Sequence, residues 1–223
     1  MRVVALIPTY NEAPTIAAVV EGVRRLVVAT IVVDDGSTDD TVARAQEAGA
    51  EVIEQPENLG KGTAIRTGLA RVLAGDFTHV LLLDGDMQHL PHEAVRLLEA
   101  AAQTGAEAVL GERQFCRGEM PASRYHTNRI GSWALSSFVG VPVRDTQCGF
   151  RVFALRALRG LRLKARSYDI ETEMLIKVRR QGGHVIGVPI TAVYAGQRSK
   201  LRPIRDTTRT CFLAVYYRYL ERL

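Results

Sequence analysis

Along the first 110 residues, short unbroken apolar runs alternate with stretches whose apolar residues recur at helical spacing. Val3–Ile7 is such a run, ended by Pro8, and Thr15–Leu26 follows with helical periodicity. Thr30–Val33, Glu51–Ile53, His79–Leu83 and Glu107–Leu110 read as the next strands. Asp39–Ala48, Gly62–Leu73 and Pro91–Thr104 read as the helices between them, the first capped by Ser37 or Thr38. Repeated strand–helix–strand units with uniformly apolar strands predict an α/β fold: a mostly parallel sheet covered by helices on both faces. Ligands of such sheets sit at the carboxyl ends of the strands. Three polar loops begin there, Pro8–Glu12, Asp34–Thr38 and Asp84–His89.

Beyond Gly111 the pattern loosens. Residues 112–128 are polar and basic, Ile130–Val139 reads as a helix with Trp133 in the core, and Arg151–Ala154 as a strand after the loop Asp145–Arg151. Asp169–Gln181 is a helix stopped by Gly182-Gly183, and Val185–Pro189 is a further strand. The last 28 residues open with a basic loop and end in a helix that puts Phe212, Tyr216, Tyr219, Leu220 and Leu223 on one face. With no repeat, linker or low-complexity tract, a single domain over 1–201, followed by a basic amphipathic helix over 202–223, is the simplest organisation.

Composition narrows the class. A chain of 223 residues with 47% hydrophobic and 24% charged residues is globular, not disordered. Three cysteines without CxxC spacing suggest neither a disulfide framework nor structural zinc, and a reducing, cytoplasmic setting is the default. The start lacks the apolar core of a signal peptide, and no 18-residue apolar stretch predicts a membrane span. The net charge of +5 hides an asymmetry: residues 1–115 carry −8, residues 116–195 carry +8, and the last 28 carry +5. Such a split points to an anionic partner for the C-terminal half.

Asp84-Gly85-Asp86-Met87-Gln88 follows an apolar strand directly. Two carboxylates two residues apart at a strand end can share a hard cation with a substrate diphosphate. With Asp34-Asp35-Gly36-Ser37 and Pro8-Thr9-Tyr10-Asn11-Glu12 at neighbouring strand ends, the set can hold a base, a ribose and a diphosphate. A nucleic-acid module is disfavoured, since only Phe115 and Tyr125 interleave the basic stretch. A nucleotidyltransferase would carry a Gly-rich phosphate loop near its start, which Pro8–Glu12 is not.

These motifs, together with Asn58-Leu59-Gly60-Lys61-Gly62 and Asp145-Thr146-Gln147-Cys148-Gly149-Phe150-Arg151, resemble those of inverting nucleotide-sugar glycosyltransferases with a GT-A fold. The branch is similar to the dolichyl- and polyprenyl-phosphate mannose or glucose synthases and their bacterial relatives. The resemblance implies a hexose transferred from a nucleotide sugar of the GDP-mannose or UDP-glucose type to a polyprenyl phosphate, with Mg2+ or Mn2+ as cofactor. It divides the chain into a nucleotide and metal half (1–115) and an acceptor half (116–201). It places Pro8, Tyr10, Glu12 and Asp35 on the nucleoside, Asp84 near ribose and diphosphate, and Asp86 and Gln88 on the metal. Arg113 is implied for catalysis and, with Arg124 and Arg129, for the acceptor phosphate; Lys200 is implied near acceptor and diphosphate.

An acceptor phosphate is already ionised at neutral pH, so attack needs positioning and charge management more than a base. A hydroxyl acceptor, soluble or on a saccharide, would need a carboxylate base. Asp169, Glu171 and Glu173 are the candidates, and Glu171 and Glu173 point to different sides of their helix. Lys61 can reach a phosphate, His89 either orients the metal loop or is structural, and Cys148 has no paired His. Tyr194 and Gln197 depart from the Arg-x-x-Gly-x-Ser-Lys pattern of many polyprenyl-phosphate synthases. Arg202, Arg205, Arg209, Arg218 and Arg222 beside the aromatic stripe suit peripheral contact with a membrane face, or the stripe packs on the body.

Overall fold

The computed structural model describes residues 1–113, 130–133, 135–137, 140, 144–146, 148–191, 208, 212 and 215–217. Within these, β1 (Val3–Thr9), β2 (Ala29–Asp34), β3 (Glu51–Glu54), β4 (His79–Leu82), β5 (Ala108–Arg113), β6 (Arg151–Ala154) and β7 (Val185–Ile190) form one sheet ordered β3-β2-β1-β4-β6-β5-β7. All pairings are parallel except those of β6, which runs antiparallel between β4 and β5. The helices are α1 (Ile16–Arg24), α2 (Thr41–Glu47), α3 (Lys61–Leu73), α4 (Ala94–Thr104, after a 3-10 turn at Pro91–Glu93), α5 (Leu155–Leu158) and α6 (Ile170–Arg180).

Strand alternation divides the core into two layers. From β1, Val4 and Leu6 pack with Ile65, Leu69 and Met174 of α3 and α6 on one face. Val3, Ala5 and Ile7 pack with Ile16, Val19 and Leu97 of α1 and α4 on the other. Because both faces are covered, the strands read as unbroken apolar runs.

Two expectations are corrected. Neither Ser37 nor Thr38 caps α2: Asp34 accepts the Ser37 N–H at 2.8 Å and its hydroxyl, so Ser37 closes a turn and the helix begins at Thr41. Trp133 is not core but 64% exposed, while Leu135 faces inward against Ile176 and Tyr217. Near the C-terminus Phe212 and Tyr216 of the expected stripe stack at 6.2 Å with Phe212 exposed, while Tyr217 faces inward, its hydroxyl donating to Glu173 at 2.7 Å and its ring under Lys177. The short helix α5 has no periodic signal and went unpredicted. Tyr219, Leu220 and Leu223, and the arginines around them, lie outside the described residues.

Candidate active site

Four strand ends meet around one cavity of about 600 Å³. The loop after β1 is clamped to the loop after β2. Asn11, at φ 52, receives the Thr38 N–H at 2.8 Å, and its own N–H donates to Ser37 Oγ at 2.8 Å. The Glu12 N–H donates to Thr41 Oγ1 at 2.8 Å. After β4, Thr15 Oγ1 donates to the Gly85 carbonyl at 2.7 Å, and Asp86 Oδ1 receives the Gln88 N–H at 3.0 Å across Met87, at φ 60. These asparagine and aspartate turns are what fix the loops in the absence of regular structure.

Pro8, Tyr10, Glu12, Asp35, Asp84, Asp86 and Gln88 all line this cavity. Asp35 does more than face it: its two carboxylate oxygens receive the Leu59 and Gly60 N–H groups, each at 2.9 Å. Burial raises its pKa, against those two bonds, and Asp34 raises it further. Gly60, at φ +93, could not take a side chain, since a Cβ there would meet the Arg166 carbonyl at 2.7 Å.

Lys61 is the residue whose weight the sequence understated. Its ammonium lies 2.6 Å from Asp84 Oδ1 and 3.3 Å from Glu171 Oε1, and 5.5 Å from the Tyr168 ring centroid. Burial alone would lower its pKa, but the two carboxylates raise it, so the cation is fixed. Glu171 and Glu173 do diverge: Glu171 reaches Lys61, while Glu173 receives the Lys164 and Ala165 N–H groups, Lys177 and Tyr217.

Among the described residues no cation forms an ion pair with Asp86. Its carboxyl is pushed up to about 6, first by burial and then by Asp84, with Glu12 adding to this; the Gln88 N–H and Lys61 oppose it. A carboxylate held in negative surroundings next to an amide oxygen donor is the setting a hard divalent cation completes. Asp86 and Gln88 fit that role, whereas Asp84 is already shared with Lys61. Among the described residues no three His, Cys, Asp or Glu side chains cluster as a metal site, so oxygens from a diphosphate would have to complete the coordination.

On the other side of the sheet switch, Arg113 does not line the cavity. Its Nε and Nη2 donate to Asp145 at 2.6 and 3.0 Å, and Asp145 is fully buried. Arg151, also buried, bonds three backbone carbonyls of this region. His89 is buried and stacked on Phe150, its Nε2 3.7 Å from Cys148 Sγ. Cys148 thus has a histidine neighbour after all, but burial pushes its thiol up to about 12, and burial takes His89 down to about 4, so the pair is inert packing at neutral pH. Asp145 and Arg151 both belong to the Asp145–Arg151 motif, and only the fold reveals their partners. Arg124, Arg129 and Lys200 lie outside the described residues.

Residues 4–160 match the family described as glycosyl transferase family 2. The glycosyltransferase AglJ of Haloferax volcanii is 34% identical over 218 residues, covering 96% of this chain and 70% of that protein. The undecaprenyl-phosphate mannosyltransferase of Micrococcus luteus is 30% identical over 206 residues, covering 86% of this chain and 84% of its own. Among solved structures, glucosyl-3-phosphoglycerate synthase from Mycobacterium tuberculosis, in complex with Mn2+, UDP-glucose and phosphoglyceric acid, superposes with a TM-score of 0.74 at 25% identity, over 97% of this chain and 79% of that one. With a seven-stranded sheet of GT-A type and this match over most of its length, the chain belongs to glycosyl transferase family 2 and is a glycosyltransferase of the hexosyltransferase class.

Proposed function

We propose that the protein transfers a hexose, with inversion, from a nucleotide sugar to a polyprenyl phosphate. The observation that carries this reading is the convergence of Glu12, Asp35, Asp84 and Asp86 from three strand ends on one cavity, with Asp86 in no ion pair among the described residues. Pro8, Tyr10, Glu12 and Asp35 hold the nucleoside, and Asp84 with Lys61 lies at the ribose and diphosphate. Asp86 and Gln88 would hold Mg2+ or Mn2+, whose chemistry there is Lewis-acid stabilisation of the leaving diphosphate. The Mn2+ complex of the glucosyl-3-phosphoglycerate synthase supports a divalent ion, and the undecaprenyl-phosphate relative supports the acceptor.

The fate of the carboxylates favours a phosphate over a hydroxyl acceptor. Glu171, the acid available as a base, is tied to Lys61. Glu173 is turned away and held below the usual carboxylate range: burial would raise it, but the bonds from Ala165, Lys177, Tyr217 and Lys164 outweigh that. Both carboxylates are engaged elsewhere, Glu171 with Lys61 and Glu173 with two backbone N–H groups, Lys177 and Tyr217. A phosphate oxygen attacking C1 needs no proton removed; Arg113, Arg124, Arg129 and Lys200 supply the cations that orient it. Among the described residues no helix is long and apolar enough to cross a membrane. A cytoplasmic enzyme meeting the lipid peripherally, through residues 202–223, fits this acceptor.

Acceptor choice is the test. A short polyprenyl phosphate, the matching polyprenol and phosphoglyceric acid are offered with the same donors. Product from the polyprenyl phosphate alone supports the reading; product from the polyprenol or phosphoglyceric acid alone overturns it.

A further inference from the structure

Among the described residues Arg151 heads the largest fully buried side chains, and no carboxylate pairs with it. Its guanidinium is committed to backbone: Nε donates to the Cys148 carbonyl at 2.7 Å, Nη2 to the Thr146 carbonyl at 2.8 Å and Nη1 to the Glu171 carbonyl at 2.7 Å. The first two bonds fix the loop that carries Asp145, which grips Arg113 through two oxygens. The third fixes the first turn of α6, from which Glu171 reaches Lys61 and, through it, Asp84.

The sheet explains the location. Arg151 opens β6, and stands opposite Leu82 in β4 and Leu110 in β5. Just beyond Leu82 comes Asp84, and just beyond Leu110 the segment ending at Arg113. The antiparallel strand therefore carries its one cation between the two strand ends on which the site is built. For packing alone an apolar side chain would serve at lower desolvation cost. What the planar guanidinium adds is fixed directions toward three carbonyls at once, which an ammonium on a flexible stem cannot reproduce.

We infer that Arg151 is a positioning residue that holds the Arg113–Asp145 pair in register with the Glu171–Lys61–Asp84 chain. Naming these two arms acceptor side and donor side rests on the function proposed above; their mechanical linkage does not. Asp145 and Glu171 share no hydrogen bond among the described residues, and Arg151 bonds the segments that carry both.

The test uses the full chain and the nucleotide sugar that the wild type consumes, with rates taken per folded molecule well below each melting temperature. Arg151→Lys retains the charge and lowers kcat by about 20- to 100-fold, with KM for the donor changed less than about threefold. Near-wild-type kcat in this variant overturns the inference. If Arg151→Lys does not fold, Asp145→Asn and Glu171→Gln still decide the matter with Arg151 in place. Their combined effect departs from the product of the single effects by about fivefold or more, whereas simple multiplication overturns the linkage. Hydrogen exchange separates this inference from the functional reading. In Arg151→Lys, amides 145–149 and 170–173 exchange about tenfold faster or more while β1 to β3 are unchanged. Unchanged exchange there overturns it whether or not any nucleotide sugar is consumed.

Discussion

Lys61 Nζ stands 2.6 Å from Asp84 Oδ1, with its side chain only 13% exposed and Glu171 Oε1 at 3.3 Å on its other side. One cation at the start of α3 thus joins the end of β4 to the start of α6. Replacing it with Met leaves two neighbouring carboxylates without a partner. Lys61→Met is expected to destabilise the fold by about 3–5 kcal/mol and to cut transfer about 100-fold or more. A melting curve and rate within error of wild type would show the ion pairs to be incidental.

Asp86 gives a pH prediction with a definite sign. Its pKa is raised to about 6 from an ordinary value near 3.8, so the folded protein binds the extra proton more tightly than the unfolded chain. That contribution to stability is complete below about pH 4 and is lost as pH rises toward 6. In chelator, Asp86→Asn is therefore expected to be more stable than wild type at pH 7.5, by about 1–3 kcal/mol, and no more stable at pH 4. The same variant has no metal-dependent transfer. Equal melting temperatures at pH 7.5 would contradict the assignment.

Gly149 lies against Asp84: a Cβ at that position would meet Asp84 Oδ2 at 2.5 Å. Gly149→Ala is expected to displace that carboxylate from Lys61 and lower kcat about tenfold or more, while both core layers stay intact. Unimpaired turnover in a folded variant would mean that Asp84 can move without consequence.

The arginines proposed for the acceptor are tested one at a time. Arg113→Ala removes the side chain that donates two hydrogen bonds to the fully buried Asp145, so it is expected to cost about 3–5 kcal/mol of stability along with acceptor use. Arg124→Ala and Arg129→Ala are expected to raise the acceptor KM with donor KM unaffected. Acceptor kinetics unchanged in all three would remove the phosphate-clamp idea.

The fold was legible because burial on both faces of a parallel sheet writes itself as unbroken apolar runs, as in Val3–Ile7 and His79–Leu83. The loops were legible because Asp, Asn, Gly and Ser close turns wherever strands end. What could not be read were relations between distant segments. Nothing local tells that Lys61 meets Glu171, 110 positions away, or that Arg151 faces carbonyls on two elements. Trp133 misled for a related reason. Its helical spacing from Ile130 was apparent, but which face turns inward depends on Leu135 meeting Ile176.

The most direct measurement is release of nucleoside diphosphate from a panel of GDP- and UDP-hexoses with a short polyprenyl phosphate, in Mn2+ or Mg2+ and again in excess chelator. The account predicts acceptor-dependent release from one donor, abolished by chelator and by Asp86→Ala in a protein that remains folded. Full release in chelator, or release indifferent to the polyprenyl phosphate, would contradict it.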